Sequence, residues 1–211
     1  METGKEIKYE TANALIHGIG VLFGVASMPV LSALAVKTGN MPYIIGVTIY
    51  AFSFLMTFSF SALYHSVGDI NTKKNLRTLD HISIYILIAG TYTPFLLIYM
   101  FSGFGITLLA VQWSLVVIGM IFKLYYTGRF KLFSTLVYIA MGCLLFVGGK
   151  TFFVVMPALV SIWLMIGGGL YIFGCIFYLN KKISYHHAIW HLFVLSAAIC
   201  HYVAVLFALQ K

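Results

Sequence analysis

The last apolar stretch of the chain carries an unusual group of histidines. It reads His186-His187-Ala188-Ile189-Trp190-His191, and His201 follows ten residues later. His187 and His191 are four residues apart, a spacing that places two side chains on one helix face, about one turn apart. Neutral imidazoles at this spacing commonly offer two nitrogens to one metal ion. Because the surrounding residues are almost wholly apolar, the pattern predicts that these rings have partners or a function.

The composition is that of a helical membrane protein. Hydrophobic residues make up 62% of the chain and charged residues only 9%, whereas soluble domains carry about 25% charged residues. The alternating ten-residue segments of a β-barrel are not seen. We therefore predict an all-α, polytopic membrane protein with a single domain, residues 1–211. The net charge of +8 comes from basic residues at helix ends, so a nucleic-acid partner is not expected.

Seven apolar segments are near the length of about 20 residues that a helix needs to cross a bilayer. We predict transmembrane helices at 13–36, 42–65, 80–101, 104–124, 131–150, 154–178 and 186–209. The connections between them are short and carry glycine or charged residues. Cys143, Cys175 and Cys200 lie within apolar runs and show no C-x-x-C pairing, which does not favour a disulfide framework.

The orientation follows from the basic residues at alternate ends of these spans. One side holds ten of them: Lys5, Lys8, Lys73, Lys74, Arg77, Lys123, Arg129, Lys131, Lys181 and Lys182. The other side holds three: Lys37, Lys150 and Lys211. The positive-inside rule therefore predicts a cytoplasmic N-terminus and an external C-terminus.

This topology brings most of the ionisable residues to one depth. They lie at the predicted cytoplasmic ends of the first, second, third and seventh spans: His17, His65, Asp80, His81, His187 and His191. The charge count makes no use of these residues, so their convergence supports a common site independently. His201 is the exception, because it lies roughly 15 Å beyond His191 along a straight helix.

His65, His187 and His191 form the predicted metal site. Three imidazoles that leave one position open are typical of catalytic zinc, as distinct from closed structural zinc. Asp80 could accept a proton from a water at the open position. Ser61 precedes His65 by four residues and shares its helix face, so it could bond to Asp80, the water or a substrate oxygen. We regard Asp80 and Ser61 as candidate catalytic residues, and His17, His81 and His201 as candidates for the surroundings of the site.

Each of these residues, taken alone, has a simpler interpretation. A lone histidine in a membrane helix is more often a hydrogen-bonded packing residue than a ligand. Asp80 could cap the third span, and Ser61 could bond back to a carbonyl of its own helix. His17 could lie at the membrane interface, and His81 and His186 could face the headgroups. The shared depth of three histidines and one aspartate favours the metal site.

The motifs of the chain resemble those of the bacterial hemolysin III family, the prokaryotic arm of the progestin and adipoQ receptors. They are Thr11–Gly20, Ser61–His65, Leu79–His81, Gly90–Phe95, and His187–His191 continuing to His201-Tyr202. The resemblance covers essentially the whole chain. It implies seven helices, a cytoplasmic N-terminus and a place in a bacterial plasma membrane. It also implies zinc held by His65, His187 and His191, with Asp80 contacting the zinc through water and Ser61 as the motif serine.

The wider superfamily includes alkaline ceramidases, so the resemblance also implies hydrolysis of a lipid amide or ester, with membrane lipids as partners. Two other functions remain open. The metal could be structural in a membrane-homeostasis or sensing protein. The chain could also be a pore-forming, cytolytic or channel-like protein, as the family name suggests, although the polar residues gather at one end of the spans. No oligomeric state is predicted.

Overall fold

The structure, a computed structural model, describes residues 4–210, without the side chains of residues 148, 150 and 151. Of the residues in the charge count, Lys211 and the side chain of Lys150 lie outside this described part. The described residues form eight α-helices: α1 Gly4–Lys37, α2 Met41–Ser66, α3 Ile70–Tyr99, α4 Gly103–Tyr126, α5 Lys131–Cys143, α6 Gly149–Val155, α7 Ala158–Leu179 and α8 His186–Ala208. Six of them are long and apolar enough to cross a membrane. The prediction of an all-α, multi-pass membrane protein is confirmed.

The fifth predicted span is built differently from the others. Its α-helix ends at Cys143 after 13 residues, and a 3₁₀ stretch, Leu144–Gly148, continues it. At about 1.5 Å per α-helical residue and 2.0 Å per 3₁₀ residue, the two together reach about 30 Å, roughly the thickness of the hydrocarbon core. Gly149, with φ of +55°, then redirects the chain into the short α6. The count of seven spans is therefore roughly consistent with the structure, but the boundaries at 150 and 154 are wrong.

Two helices begin well before their predicted starts. The helix α1 begins at Gly4 instead of residue 13, and α3 begins at Ile70 instead of residue 80. The cap of α3 is Asp69, whose side chain accepts a hydrogen bond of 2.8 Å from the Thr72 backbone N–H. This bond lowers the pKa of the Asp69 carboxyl from its ordinary value. Asp80 therefore lies inside α3, and the interpretation of Asp80 as a helix cap is wrong.

The helices pack mainly against their neighbours in sequence. Contacts join α1 to α2, α2 to α3, α3 to α4 and α7 to α8, while α1 also packs against α8, and α8 against α3. The first and last long helices are thereby neighbours. The core between them is almost entirely aliphatic and aromatic, with Tyr50, Phe54, Phe58 and Phe95 among its most buried side chains. The predicted cytoplasmic ends of α1, α2, α3 and α8 consequently meet in one place.

Close approach of α2 and α3 sets the register between these two helices. Thr57 donates a hydrogen bond of 3.0 Å to the carbonyl of Ser83 across the pair. At the other end, a Cβ built on Gly46 would lie 2.7 Å from the Cα of Pro94. Because the atom it meets belongs to the backbone, a side chain at Gly46 cannot be accommodated by a rotamer change.

We expect Gly46→Ala to destabilise the protein, because α2 and α3 would have to separate. Such overpacking typically costs about 1–3 kcal/mol. The matched control is Gly168→Ala in α7, where a Cβ would meet no atom within 4 Å and alanine improves helix propensity. Thermal unfolding in detergent should show a lower midpoint temperature for Gly46→Ala than for the wild type. Gly168→Ala should show no such decrease. Equal midpoints would show that the α2–α3 contact is not tight.

Candidate metal centre

Three histidines from two helices converge at the end of the bundle. One ring nitrogen from each of His65, His187 and His191 lies within 4.8 Å of the other two, so the group could hold a metal ion. His65 and His191 are buried, whereas His187 is partly exposed. The predicted histidine triad is thus brought together by the fold. Its three imidazoles leave room for a fourth, non-protein ligand.

The turn before α8 aims its two histidines at the bundle. Tyr185, which precedes the helix, has a left-handed φ of +57°. The His186 backbone N–H donates a 3.2 Å hydrogen bond to the carbonyl of Ile183, which closes the turn. The helix then begins at His186, and the rings of His187 and His191, one turn apart, have centroids separated by 4.4 Å. His65, in the last turn of α2, faces both rings, with centroid separations of 5.4 Å and 5.0 Å.

Two histidines of the triad, His65 and His191, belong to a longer chain of polar contacts that joins four helices. Nε2 of His191 lies 3.1 Å from Nε2 of His65. The other nitrogen of His65, Nδ1, lies 3.1 Å from Oε2 of Glu10, to which Lys73 donates a hydrogen bond of 2.9 Å. At the opposite end, Nδ1 of His191 lies 2.5 Å from Nε2 of His17. We call this chain, Lys73–Glu10–His65–His191–His17, the polar relay.

The nitrogens that face each other fit a tetrahedral metal. Two ligands at a Zn–N distance of about 2.0–2.1 Å lie roughly 3.3 Å apart in a tetrahedral site, close to the observed 3.1 Å. Glu10 favours the tautomer of His65 in which Nδ1–H donates to its carboxylate, which leaves Nε2 free as a ligand. His17 can likewise accept a hydrogen bond from Nδ1–H of His191. The donor set therefore fits zinc, although the same nitrogens could also share a proton.

Asp80, a residue of α3, lies at the same end of the bundle as the histidine triad. Its Oδ2 is 3.2 Å from Nδ1 of His81, whose ring also lies 2.8 Å from the carbonyl of Arg77. The Asp80 carboxylate interacts electrostatically with His17 and His65 as well. It is buried, with 8% of its surface exposed. His81 is the hydrogen-bond partner of Asp80.

Ser61 is a buried hydroxyl that has no hydrogen-bond partner among the described residues. This sets it apart from other hydroxyls of α2, since Ser53 and Thr57 each donate to the carbonyl four residues earlier. The interpretation that Ser61 bonds back to its own helix is therefore wrong for this structure. Its unsatisfied oxygen, one turn before His65, offers a donor to a ligand at the site.

Comparison with known proteins agrees with these motifs. The family model described as haemolysin-III related matches residues 5–202. The chain belongs to this family. It is 43% identical over 205 residues to the Hemolysin-3 homolog of Bacillus subtilis (strain 168), with 97% of this chain and 96% of that protein covered. Hemolysin-3 of Bacillus cereus is 42% identical over 201 residues, with 95% and 92% covered. The predicted family resemblance is confirmed.

A more distant relative of this haemolysin-III protein is found in humans. The chain is similar to the human protein named monocyte to macrophage differentiation factor, with 29% identity over 174 residues. The match covers 74% of this chain and 67% of the human protein. Family membership and the six long apolar helices agree with a multi-pass protein of a bacterial membrane.

The remaining histidines of the haemolysin-III protein lie in two different environments. His17 is buried, with 2% of its surface exposed, and contacts His191, so its interpretation as an interface residue is wrong. His201 packs against α7 instead, where its Nε2 lies 3.3 Å from the carbonyl of Leu164. Its place in α8, ten residues beyond His191, separates it from the triad, as the helical rise predicted.

Glu10 is the site residue that the sequence analysis did not identify. The predicted first span began at residue 13, which left Glu10 in the polar segment before it. In the structure Glu10 lies within α1, where it precedes Asn13 by three residues and His17 by seven. These spacings place all three on one helix face. A carboxylate at that spacing from two buried polar residues is the signal that would have identified it.

The purified protein should contain about one bound metal ion per chain. His65→Ala, His187→Ala and His191→Ala should each remove the metal, because two imidazoles hold zinc far more weakly than three. His201→Ala is the matched control, since it removes a buried histidine of α8 outside the triad. Elemental mass spectrometry of chelator-free protein measures the content. Wild-type protein without metal would contradict the site.

Glu10→Gln should weaken metal binding by about 10–100-fold, because the carboxylate that orients and polarises His65 is lost. Glu6→Gln removes a charge from the exposed part of the same helix and should leave the affinity unchanged. Competition with a chelator of known affinity gives both values. If the two variants behave alike, Glu10 has no part in the site.

Proposed function

We propose that the protein is an intramembrane hydrolase that cleaves an amide or ester bond of a membrane lipid, with a zinc ion held by His65, His187 and His191. One observation carries the proposal: the end of the bundle that holds the three imidazoles also holds a buried carboxylate, Asp80, and a buried hydroxyl, Ser61, that has no hydrogen-bond partner among the described residues. A structural metal site needs neither a buried carboxylate nor an unsatisfied hydroxyl, whereas hydrolysis requires a proton acceptor and a donor to the carbonyl oxygen.

The register of α2 and α3 supports the pairing of Asp80 with Ser61. The two helices run antiparallel, and the hydrogen bond from Thr57 to Ser83 fixes their relative height. Ser61 is four residues beyond Thr57, and Asp80 is three residues before Ser83. At about 1.5 Å per residue, the two side chains therefore lie within about 2 Å of the same level.

Two cavities reach the site from different environments. One, of about 300 Å³, is lined mainly by polar residues of α1 and of residues 181–188, including Asn13 and His187. It lies on the predicted cytoplasmic side and can supply water. The other, of about 660 Å³, is lined by apolar residues of α1 such as Ala14, Leu15 and Leu22, and also by Glu10, His65 and Lys73. Its apolar wall suits the acyl chain of a lipid.

These positions assign each residue a role in the proposed reaction. When bound, zinc would act as a Lewis acid that polarises the substrate carbonyl and acidifies water. Asp80 takes the proton as the water oxygen attacks the carbonyl carbon, and His81 holds the carboxylate in place. Ser61 donates a hydrogen bond to the carbonyl oxygen as it gains charge. Asp80 then returns the proton to the leaving nitrogen or oxygen as its bond to the acyl carbon breaks.

A structural role for the metal is the second candidate, and one observation favours it. The polar relay links α1, α2, α3 and α8, so an ion at its centre would fasten the two ends of the chain together. On this alternative, loss of the metal lowers thermal stability and Asp80 has no effect on function.

A lytic role is suggested only by the names of the relatives. The Bacillus cereus protein is called Hemolysin-3. In the described part of this chain, the core beyond the site is filled by aromatic and aliphatic side chains such as Phe54, Phe58 and Phe95. A water-filled path along the bundle axis would have to displace them, so we give this role the lowest rank.

Asp80→Asn should reduce hydrolysis by about 100-fold or more, the usual contribution of a general acid–base group. Ser61→Ala should reduce it by about 10–100-fold, somewhat less than the loss of a main oxyanion donor. Both variants should keep their zinc.

Ser66→Ala is the control, because that hydroxyl is exposed and bonds back to Ala62. Fatty-acid release from amide- and ester-linked lipids in nanodiscs is the measurement. Full activity in Asp80→Asn, or none in zinc-loaded wild type, would favour the structural role.

A further inference from the structure

Four basic side chains that are not part of the polar relay gather at the predicted cytoplasmic end of the bundle. They are Arg77 of α3, Lys123 of α4, Lys131 of α5 and Lys181 after α7. Arg77 interacts electrostatically with both Lys123 and Lys131, and Lys131 does so with Lys181. Nζ of Lys131 lies 6.0 Å from the centre of the Tyr178 ring. We call this group the basic cluster.

No carboxylate of the described residues lies within ion-pair distance of the basic cluster. Glu10 is engaged by Lys73 and His65, Asp80 by His81, and Asp69 by the backbone of Thr72. The chain has only five acidic residues in all. The mutual repulsion of the four cations is therefore not offset by ion pairs within the described part of the chain.

Lys123 gives the strongest evidence that an anion binds nearby, because it is buried without an acidic partner among the described residues. Only 2% of its surface is exposed. Its ammonium donates one hydrogen bond, of 2.6 Å, to Oγ of Ser134, although an ammonium has three N–H groups to place. The rings of Phe122 and Tyr138, at 5.8 Å and 5.9 Å, give it a further cation–π contribution. A buried charge of this kind is costly unless an anion lies nearby.

The turn between α4 and α5 holds the cluster in a fixed arrangement. Gly128 has a φ of +79°, and a Cβ built on it would lie 2.7 Å from the guanidinium of Arg77. Phe130, also in this turn, has a left-handed φ of +52°, a conformation that a bulky residue adopts only when its surroundings impose it. Arg77 is thus seated against the turn that positions Lys123 before it and Lys131 after it.

We propose that the basic cluster binds the phosphate of an anionic phospholipid of the membrane. Arg77 and Lys131 contact the phosphate, Lys181 lies at its margin, and the buried Lys123 adds attraction from beneath. The chemistry fits because arginine and lysine are the usual ligands of phosphate. The place fits because the cytoplasmic ends of membrane helices lie at the level of anionic headgroups. The proposal does not depend on the metal site.

The test is lipid retention by the detergent-purified protein, measured by native mass spectrometry after incubation with phosphatidylglycerol. Arg77→Gln/Lys131→Gln should retain at least fivefold less phosphatidylglycerol than wild type. The matched control, Lys5→Gln/Lys8→Gln, removes two exposed charges from α1 on the same side of the membrane. It should retain as much as wild type, and neutral phosphatidylcholine should show no such difference between variants.

Several outcomes would overturn the proposal. An equal loss in the control pair would mean a general attraction between basic surface and anionic lipid. Displacement of the lipid by a modest molar excess of inorganic phosphate would assign the site to a soluble anion. The charge-conserving Arg77→Lys/Lys131→Arg variant guards against misfolding and should retain the lipid. If this variant loses the lipid while still eluting as one folded species, positive charge is not what binds the lipid.

Discussion

The burial of imidazoles in an apolar bundle is the constraint on which the arrangement of the helices depends. A buried polar group left without a partner costs about 1–3 kcal/mol, and a bilayer offers no water to satisfy it. In the polar relay from Lys73 to His17, most members are satisfied by polar contacts with one another. Its members come from four helices, so they can meet only if the first and last long helices are neighbours, as they are here.

The relay also explains why the histidines can serve a metal. His65 and His191 each have one nitrogen directed at the other and one engaged elsewhere. Without an ion, Nε2–H of His191 can donate to His65 while His17 donates to Nδ1 of His191. With an ion, the protons of His191 and His17 both move to their Nδ1 nitrogens. The two arrangements hold the same number of protons, so the histidines could exchange a hydrogen bond for metal ligation without releasing a proton.

Much of this could be predicted from the sequence, and the remainder depended on where helices begin. The spacing of His187 and His191, together with the alternation of charged ends, was enough to bring both to the depth of His65. The starts of α1 and α3 were harder to predict, because their first turns are polar and hydropathy alone does not distinguish such turns from loops. No glycine or proline interrupts the segment from Lys5 to Asn13, which was the available signal that α1 begins early.

The break in the fifth span had a sequence signal too. Gly148 and Gly149 are adjacent, and paired glycines mark turns more often than helix interiors. The apolar residues before this pair outweighed it, since hydropathy reports burial in lipid and says little about backbone conformation. The orientation of single side chains, such as that of Ser61, lies beyond any pattern argument because it depends on neighbours from other helices.

The polar atoms left unsatisfied near the triad argue that the site does more than hold the fold together. Oδ1 of Asn13, Nδ1 of His17 and Oγ of Ser61 are buried without a hydrogen-bond partner among the described residues. A bundle shaped only by packing would gain about 1 kcal/mol or more by pairing or replacing each of them. Proteins tolerate such local conflicts chiefly at functional sites. Asn13 and His17 contact His65 and His191, so their unsatisfied atoms are available to the polar substrate that the proposed hydrolase requires.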